Sequence, residues 1–112
     1  MFPISRIFPT AILALSLAAC SAVQVGQDFD VRTFEAKVER GASTRDQVRG
    51  WLGAPASTGV NVDTGGERFE EWVYYFASGR LSDTSAMRVK MLQIKFDQQG
   101  IVRGYNWSAS DR

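Results

Sequence analysis

Cys20 is the one cysteine among 112 residues, and its thiol is the strongest nucleophile the sequence offers. Nothing makes it half of a catalytic pair. The chain has no histidine, which removes the commonest general base and the commonest zinc ligand. Neither the thiol nor any serine therefore has the partner that nucleophilic catalysis requires. The carboxylates are no better placed. Glu70 and Glu71 adjoin in a stretch that reads as a strand, so their side chains leave on opposite faces and cannot act together as acid and base. Asp28 with Asp30, and Asp83 with Thr84 and Ser85, lack the length and alternation of a calcium loop. Gly65-Gly66 lacks the strand-to-helix setting of a phosphate loop. These patterns predict a non-catalytic chain without metal ligands or a cofactor.

The chemistry left to Cys20 is modification. Ahead of it runs Ala11-Ile12-Leu13-Ala14-Leu15-Ser16-Leu17-Ala18-Ala19, with Arg6 near the start. This apolar run is shorter than the roughly 20 residues that span a bilayer and suits the core of a secretory signal over residues 1–19. Leu17-Ala18-Ala19-Cys20 resembles the bacterial lipobox, in which the signal is cut before a cysteine carrying a diacylglycerol. That resemblance implies a lipid anchor on Cys20, and Ser21 in the following position implies sorting to the outer membrane. It also accounts for a lone cysteine in an exported chain, where a free thiol would be reactive. Each buried acyl methylene adds about 0.8 kcal/mol of membrane affinity, so two or three chains make a lasting anchor. Residues 20–29 have no sustained period and a central Gly26, and read as a tether. At about 3.3 to 3.6 Å per residue it holds the domain within roughly 30 Å of the bilayer.

Removing Arg6 with the signal leaves twelve basic and twelve acidic residues. A neutral balance gives no reason to expect a nucleic-acid partner. The domain, placed at residues 30–108 with a polar tail at 109–112, is organised around Gly41 to Pro55. There Thr44 is an N-cap and Gln47 completes a capping box. Val48, Trp51 and Leu52 form one apolar stripe, and Gly53 and Pro55 end the helix. So short a helix is marginal alone and has to dock on a larger surface. Before it, Asp30 caps a helix expected from Val31 to Arg40, with Val31, Phe34 and Val38 on one face.

After a polar loop from Ala56 to Gly66, in which Val60 and Val62 suggest at most a scrap of edge strand, the period changes to two. Trp72, Tyr74 and Phe76 share one face of a first strand, and Leu92, Ile94 and Phe96 one face of a second. The odd-numbered Met87, Val89 and Met91 break that parity, which predicts a bulge or a change of facing near Met91. Asp97-Gln98-Gln99-Gly100 reads as a hairpin turn leading to a third strand, Ile101 to Trp107. The expected fold is α+β: two N-terminal helices packed on one face of a three-stranded antiparallel meander.

Gly41-x-x-Thr44-x-x-x-Val48-x-x-x-Leu52-Gly53-x-Pro55, then Trp72-x-Tyr74 and Leu92-x-Ile94-x-Phe96-Asp97-x-x-Gly100, follow the lipobox in an order similar to the SmpA/OmlA (BamE-like) outer-membrane lipoproteins. The resemblance implies a lipid-anchored protein on the periplasmic face of the outer membrane. It also implies an accessory role in β-barrel assembly, with partners in the assembly machinery. Ala77 stands where the assembly subunit of that family carries an arginine. Two other roles fit the same residues: an inhibitor or sequestering module for a periplasmic enzyme, and an envelope-stress lipoprotein.

A sheet covered on one side should be polar on the other. Here Val73 and Tyr75 alternate with the core positions, and Tyr105 joins them if the third strand has that parity. Covering by the tether or by the Ala56–Gly66 loop is one explanation, and a protein-binding face is the other. Arg68 and Arg103, with Arg80, Arg88 and Lys90, are candidates for its rim or for lipid headgroups.

Overall fold

A computed structural model describes residues 22–110. Cys20, the proposed signal and the last two residues lie outside the described residues. The elements are β1 (Ala22–Gly26), α1 (Val31–Lys37), α2 (Arg45–Leu52), β2 (Ser57–Val62), β3 (Arg68–Arg80), β4 (Asp83–Phe96) and β5 (Val102–Ala109).

Both helices lie where the caps put them. Asp30 Oδ1 accepts from the amides of Arg32 (3.0 Å) and Thr33 (3.2 Å), which starts α1. It is shorter than expected, because Val38 turns extended after Lys37. In α2 the capping box is complete: Thr44 Oγ1 accepts from the Gln47 amide at 3.2 Å, and Gln47 Oε1 from the Thr44 amide at 3.0 Å. Gly53, at φ 85°, closes the helix by donating to Arg49 O. The turn between the helices is itself held to the sheet, since Gly41 N donates to Val102 O and Val102 N to Ser43 O, both at 2.8 Å.

The antiparallel sheet has five strands, in place of the three-stranded meander. Its path is β1-β3-β4-β5, and β2 also pairs with β3. β1 comes from the segment read as a tether and β2 from the loop in which Val60 and Val62 suggested a scrap of edge strand, and both use one edge of β3. β1 takes the C-terminal half, from Gly26↔Phe76 to Ala22↔Arg80, and β2 the N-terminal half, from Ser57↔Val73 to Val62↔Arg68. A strand of 13 residues leaves a long row of unpaired amides and carbonyls, and those groups need partners. Ser57, Thr58, Gly59 and Asn61 have no apolar surface to bury, and an exposed edge strand asks for none. The β2–β3 connection is set by Asp63, whose Oδ1 accepts from the amides of Gly65 and Glu67, both at 2.9 Å.

The core lies between the helices and the even-numbered face of the sheet. Phe34, Val48, Leu92, Ile94, Phe96 and Val102 are fully enclosed, and Trp72, Tyr74 and Phe76 are nearly so. Phe29, expected in the tether, belongs to this core and packs on Tyr74 with ring centres 5.6 Å apart. No bulge occurs at Met91, which pairs in register with Tyr75. The strand is simply apolar on both faces: Leu92, Ile94 and Phe96 meet the helices, while Val89 and Met91 take the opposite side. The irregularities fall elsewhere, between Ser78 and Arg80 and between Lys95 and Phe96. At the second, Phe96↔Val102 and Lys95↔Gly104 leave Arg103 as one extra residue in β5.

Candidate protein-binding face

β3 and β4 present two faces because each alternates without interruption from Glu70↔Phe96 to Ser78↔Arg88. Trp72↔Ile94 and Tyr74↔Leu92 turn to the helices, so Val73↔Gln93, Tyr75↔Met91 and Ala77↔Val89 turn away from them. β1 and β2 continue this second face sideways, with Val25 beside Ala77 and Ser57 beside Val73. The result is an apolar belt of Val25, Val73, Tyr75, Ala77, Val89 and Met91. Glu71, Gln93 and Lys95 lie on its polar side, where Lys95 Nζ sits 4.7 Å from the Phe69 ring centre.

Neither segment read as a possible cover lies over this face. The residues read as a tether and the Ala56–Gly66 stretch both lie in the plane of the sheet, as β1 and β2, and leave the belt open, with Val25 of β1 extending it. Val25 remains 50% exposed; Val73, Tyr75, Val89 and Met91 are half-buried by their lateral neighbours.

The other anticipated site residues are placed differently. Tyr105 pairs with Ile94 and lies on the helix side, edge-on to Phe34 with ring centres 4.9 Å apart. The cause is the extra residue Arg103, which reverses the facing of β5 between Val102 and Tyr105. Arg103 Nε donates to Asp97 Oδ2 at 2.8 Å, so its guanidinium braces the β4–β5 turn. The Asp97 carboxyl is held below its ordinary value chiefly by the Ile101 amide, with the Gln99 amide and Arg103 adding to it against the effect of burial. Arg68 is exposed at the start of β3, opposite Val62. By parity it shares the helix side with Glu70, which pairs with Arg45 of α2. Burial raises the Glu70 carboxyl, and Arg45 together with Trp72 more than offsets it, leaving it below its ordinary value. Of the five residues read as a binding surface, the fold thus brings Val73 and Tyr75 together and sets Arg68, Arg103 and Tyr105 apart from them.

Met91 and Val89, read beside Val73 and Tyr75 in the sequence, both lie on the face. Val25 is the residue that the sequence reading missed; it joins only through strand pairing, and the register of β1 has no signal in five residues of weak alternation. Beside Tyr75 the belt opens onto a notch of about 340 Å³, where β1 has ended and β2 has not begun, lined by Gly26, Leu52, Ala54, Pro55 and Ala56. Gly26 is required there. It has φ 77°, and a Cβ on it would fall 2.2 Å from Tyr75 O.

A family model, the outer membrane protein assembly factor BamE domain, matches residues 35–106. The chain belongs to the BamE family. No curated protein and no solved structure matches it. Membership carries a role in outer-membrane protein assembly, on the periplasmic side of that membrane and alongside the assembly machinery; the family is one of assembly factors and not of enzymes. The matched range takes in α2, β2, β3 and β4 whole. β1 and the start of α1 precede it.

Proposed function

We propose that this BamE-family chain is a non-catalytic binding module, held in the outer membrane by acylated Cys20 and facing the periplasm. It docks a protein of the barrel-assembly machinery through the apolar belt, with Val73 and Tyr75 as anchors. One observation carries this reading: the face opposite the helices is apolar, and both segments available to cover it form edge strands instead. Leaving such a belt in water is unfavourable unless a partner removes it. Tyrosine suits the centre of such a contact, since it buries a large ring at little conformational cost. Lys95, Gln93 and Glu71 supply the polar rim on one side. The lipobox supports the anchor, and the family supports the class of partner.

A photo-crosslinking residue introduced at position 75 in living cells tests the face, with position 49 on the exposed side of α2 as the control. Adducts with an assembly-machinery protein from position 75 and none from position 49 are expected. The same adducts from both positions, or none from 75, would refute the docking face. For the anchor, Cys20→Ala is expected to abolish acyl labelling; labelling that persists in the variant would refute it.

A further inference from the structure

We propose that the tip of the β3–β4 hairpin is a second membrane contact, resting on the same bilayer as the acyl anchor. The proposal depends on the anchoring reading above and adds an orientation to it. It comes from the register of β1, which runs antiparallel to β3 with Ala22 opposite Arg80, the last residue of that strand. Cys20 precedes Ala22 by two positions, and two residues of chain span at most about 7 Å. The turn residues Leu81 and Ser82 follow Arg80 directly, and Arg80↔Asp83 closes the hairpin. An anchor at Cys20 therefore brings the tip down to the membrane surface.

The side chains at this end fit that surface. Leu81 is 66% exposed, more than any other large apolar side chain among the described residues. Val25, half exposed, lies on the same arm of the sheet. Arg80 is exposed beside Leu81 and can keep its guanidinium among headgroup phosphates while the leucine enters the acyl boundary. The nearby carboxylate, Asp83, is engaged by Ser85 Oγ at 2.6 Å.

The consequence is a fixed height for the binding face. With an unstructured tether, the domain would move anywhere within its reach. With β1 paired, Tyr75 stands five residues up β3 from Arg80, or roughly 17 Å from the membrane surface at the rise of a strand. The Asp63–Gly66 and Asp97–Gly100 turns then point into the periplasm.

The test uses the acylated protein extracted from membranes, carrying Leu81→Cys or, at the opposite end, Gln99→Cys. Acylation of Cys20 leaves the introduced thiol as the one site for an environment-sensitive fluorophore, because the sequence has no other cysteine. Both positions are exposed turn residues, so the fold is kept. Each sample is reconstituted in phosphatidylcholine vesicles containing spin-labelled phosphatidylcholine and recovered by flotation. The label at position 81 is expected to be quenched several-fold more strongly than the label at 99, with blue-shifted emission. Equal, weak quenching in protein that floats would overturn the tip contact and leave the anchor standing. A blue shift at 81 without quenching would mean that a second copy covers the tip, which also overturns it. Protein that does not float would overturn the anchoring reading and this proposal together.

Discussion

Tyr74 and Tyr75 are adjacent, alike in chemistry and turned to opposite faces of the sheet, so substituting each tests folding against the proposed binding. Tyr74 is 3% exposed. Its ring packs on Phe29, and its hydroxyl donates to Gly53 O at 2.7 Å, fastening the end of α2 to the sheet. Tyr74→Phe keeps the ring and removes only that bond. Gly53 is exposed, so water takes over its carbonyl, and the loss should be about 0.5 to 1.5 kcal/mol. For a domain of this size about 1 kcal/mol lowers Tm by about 4 to 8 °C. Tyr74→Ala also empties the ring site and should cost about 3 to 5 kcal/mol, a large part of the roughly 4 to 13 kcal/mol that 89 residues support. Tyr75→Ala removes a half-buried ring from the open face, so about 1 kcal/mol of stability is at stake. If it anchors a partner, binding weakens by about 2 kcal/mol or more, roughly 30-fold. The assay pairs thermal unfolding with recovery of crosslinked partners. Tyr74→Phe should shift Tm and keep the partners; Tyr75→Ala should nearly keep Tm and lose them. Equal destabilisation by Tyr74→Ala and Tyr75→Ala would refute the assignment of faces, and normal folding of Tyr75→Ala with undiminished partners would refute the anchor. Alkali supplies a second reading. Burial pushes the Tyr74 phenol from 10.0 up to about 12, so its contribution is fully present below pH 10 and is lost as pH rises through about 12. Tyr74→Phe should flatten that limb of the stability curve.

The capping box of α2 predicts that Thr44→Ala costs about 0.5 to 2 kcal/mol, and that adding Gln47→Ala costs less than its single effect, because the two bonds share one turn. Additive shifts in urea midpoint would mean that the box does not act as a unit. Asp97 predicts the acid response: its folded carboxyl titrates below the ordinary 3.8, so its stabilisation is present above that value and is lost as pH falls below it. Asp97→Asn should flatten the acid limb as pH falls below 3.8. An unchanged limb would show that the carboxylate does not hold the β4–β5 turn.

The helices and the even-numbered core were legible because their signals are local. Thr44 with Gln47 and Gly53 marks both ends of α2 within ten residues, and Trp72, Tyr74, Phe76, Leu92, Ile94 and Phe96 show a period of two on their own. What failed depends on partners distant in sequence. Ala22–Gly26 has too few residues to declare a strand, and only the free edge of β3 makes it one. Asp63-x-Gly65-Gly66 did carry a turn signal, so β2 was within reach of the sequence. The facing of Tyr105 was not, since nothing local says that Arg103 is an extra residue opposite the Lys95–Phe96 step. Lys90 shows the same limit. Read as a rim cation, it lies at a core-facing position, with its ammonium 2.6 Å from Phe29 O and paired with Asp28, so it pins the β1–α1 connection to the sheet.

That connection joins β1, the core and the apolar belt into one mechanical unit. Gly26 leaves the edge of β3 at Phe76 and passes close over Tyr75 O, and three residues later Phe29 is buried against Tyr74. A side chain at Gly26 would push the chain off Tyr75 and strain its positive φ. The path from Ala22 therefore runs along the same two tyrosines that face opposite sides of the sheet. With the proposed acyl anchor on Cys20, a pull on the chain is borne by β1 in shear against β3, and it reaches the apolar belt through Val25 and Ala77 before it reaches the helices. On the proposed anchoring, a strand outside the matched range thus bears on what the domain does: it helps to build the belt and sets where the belt stands.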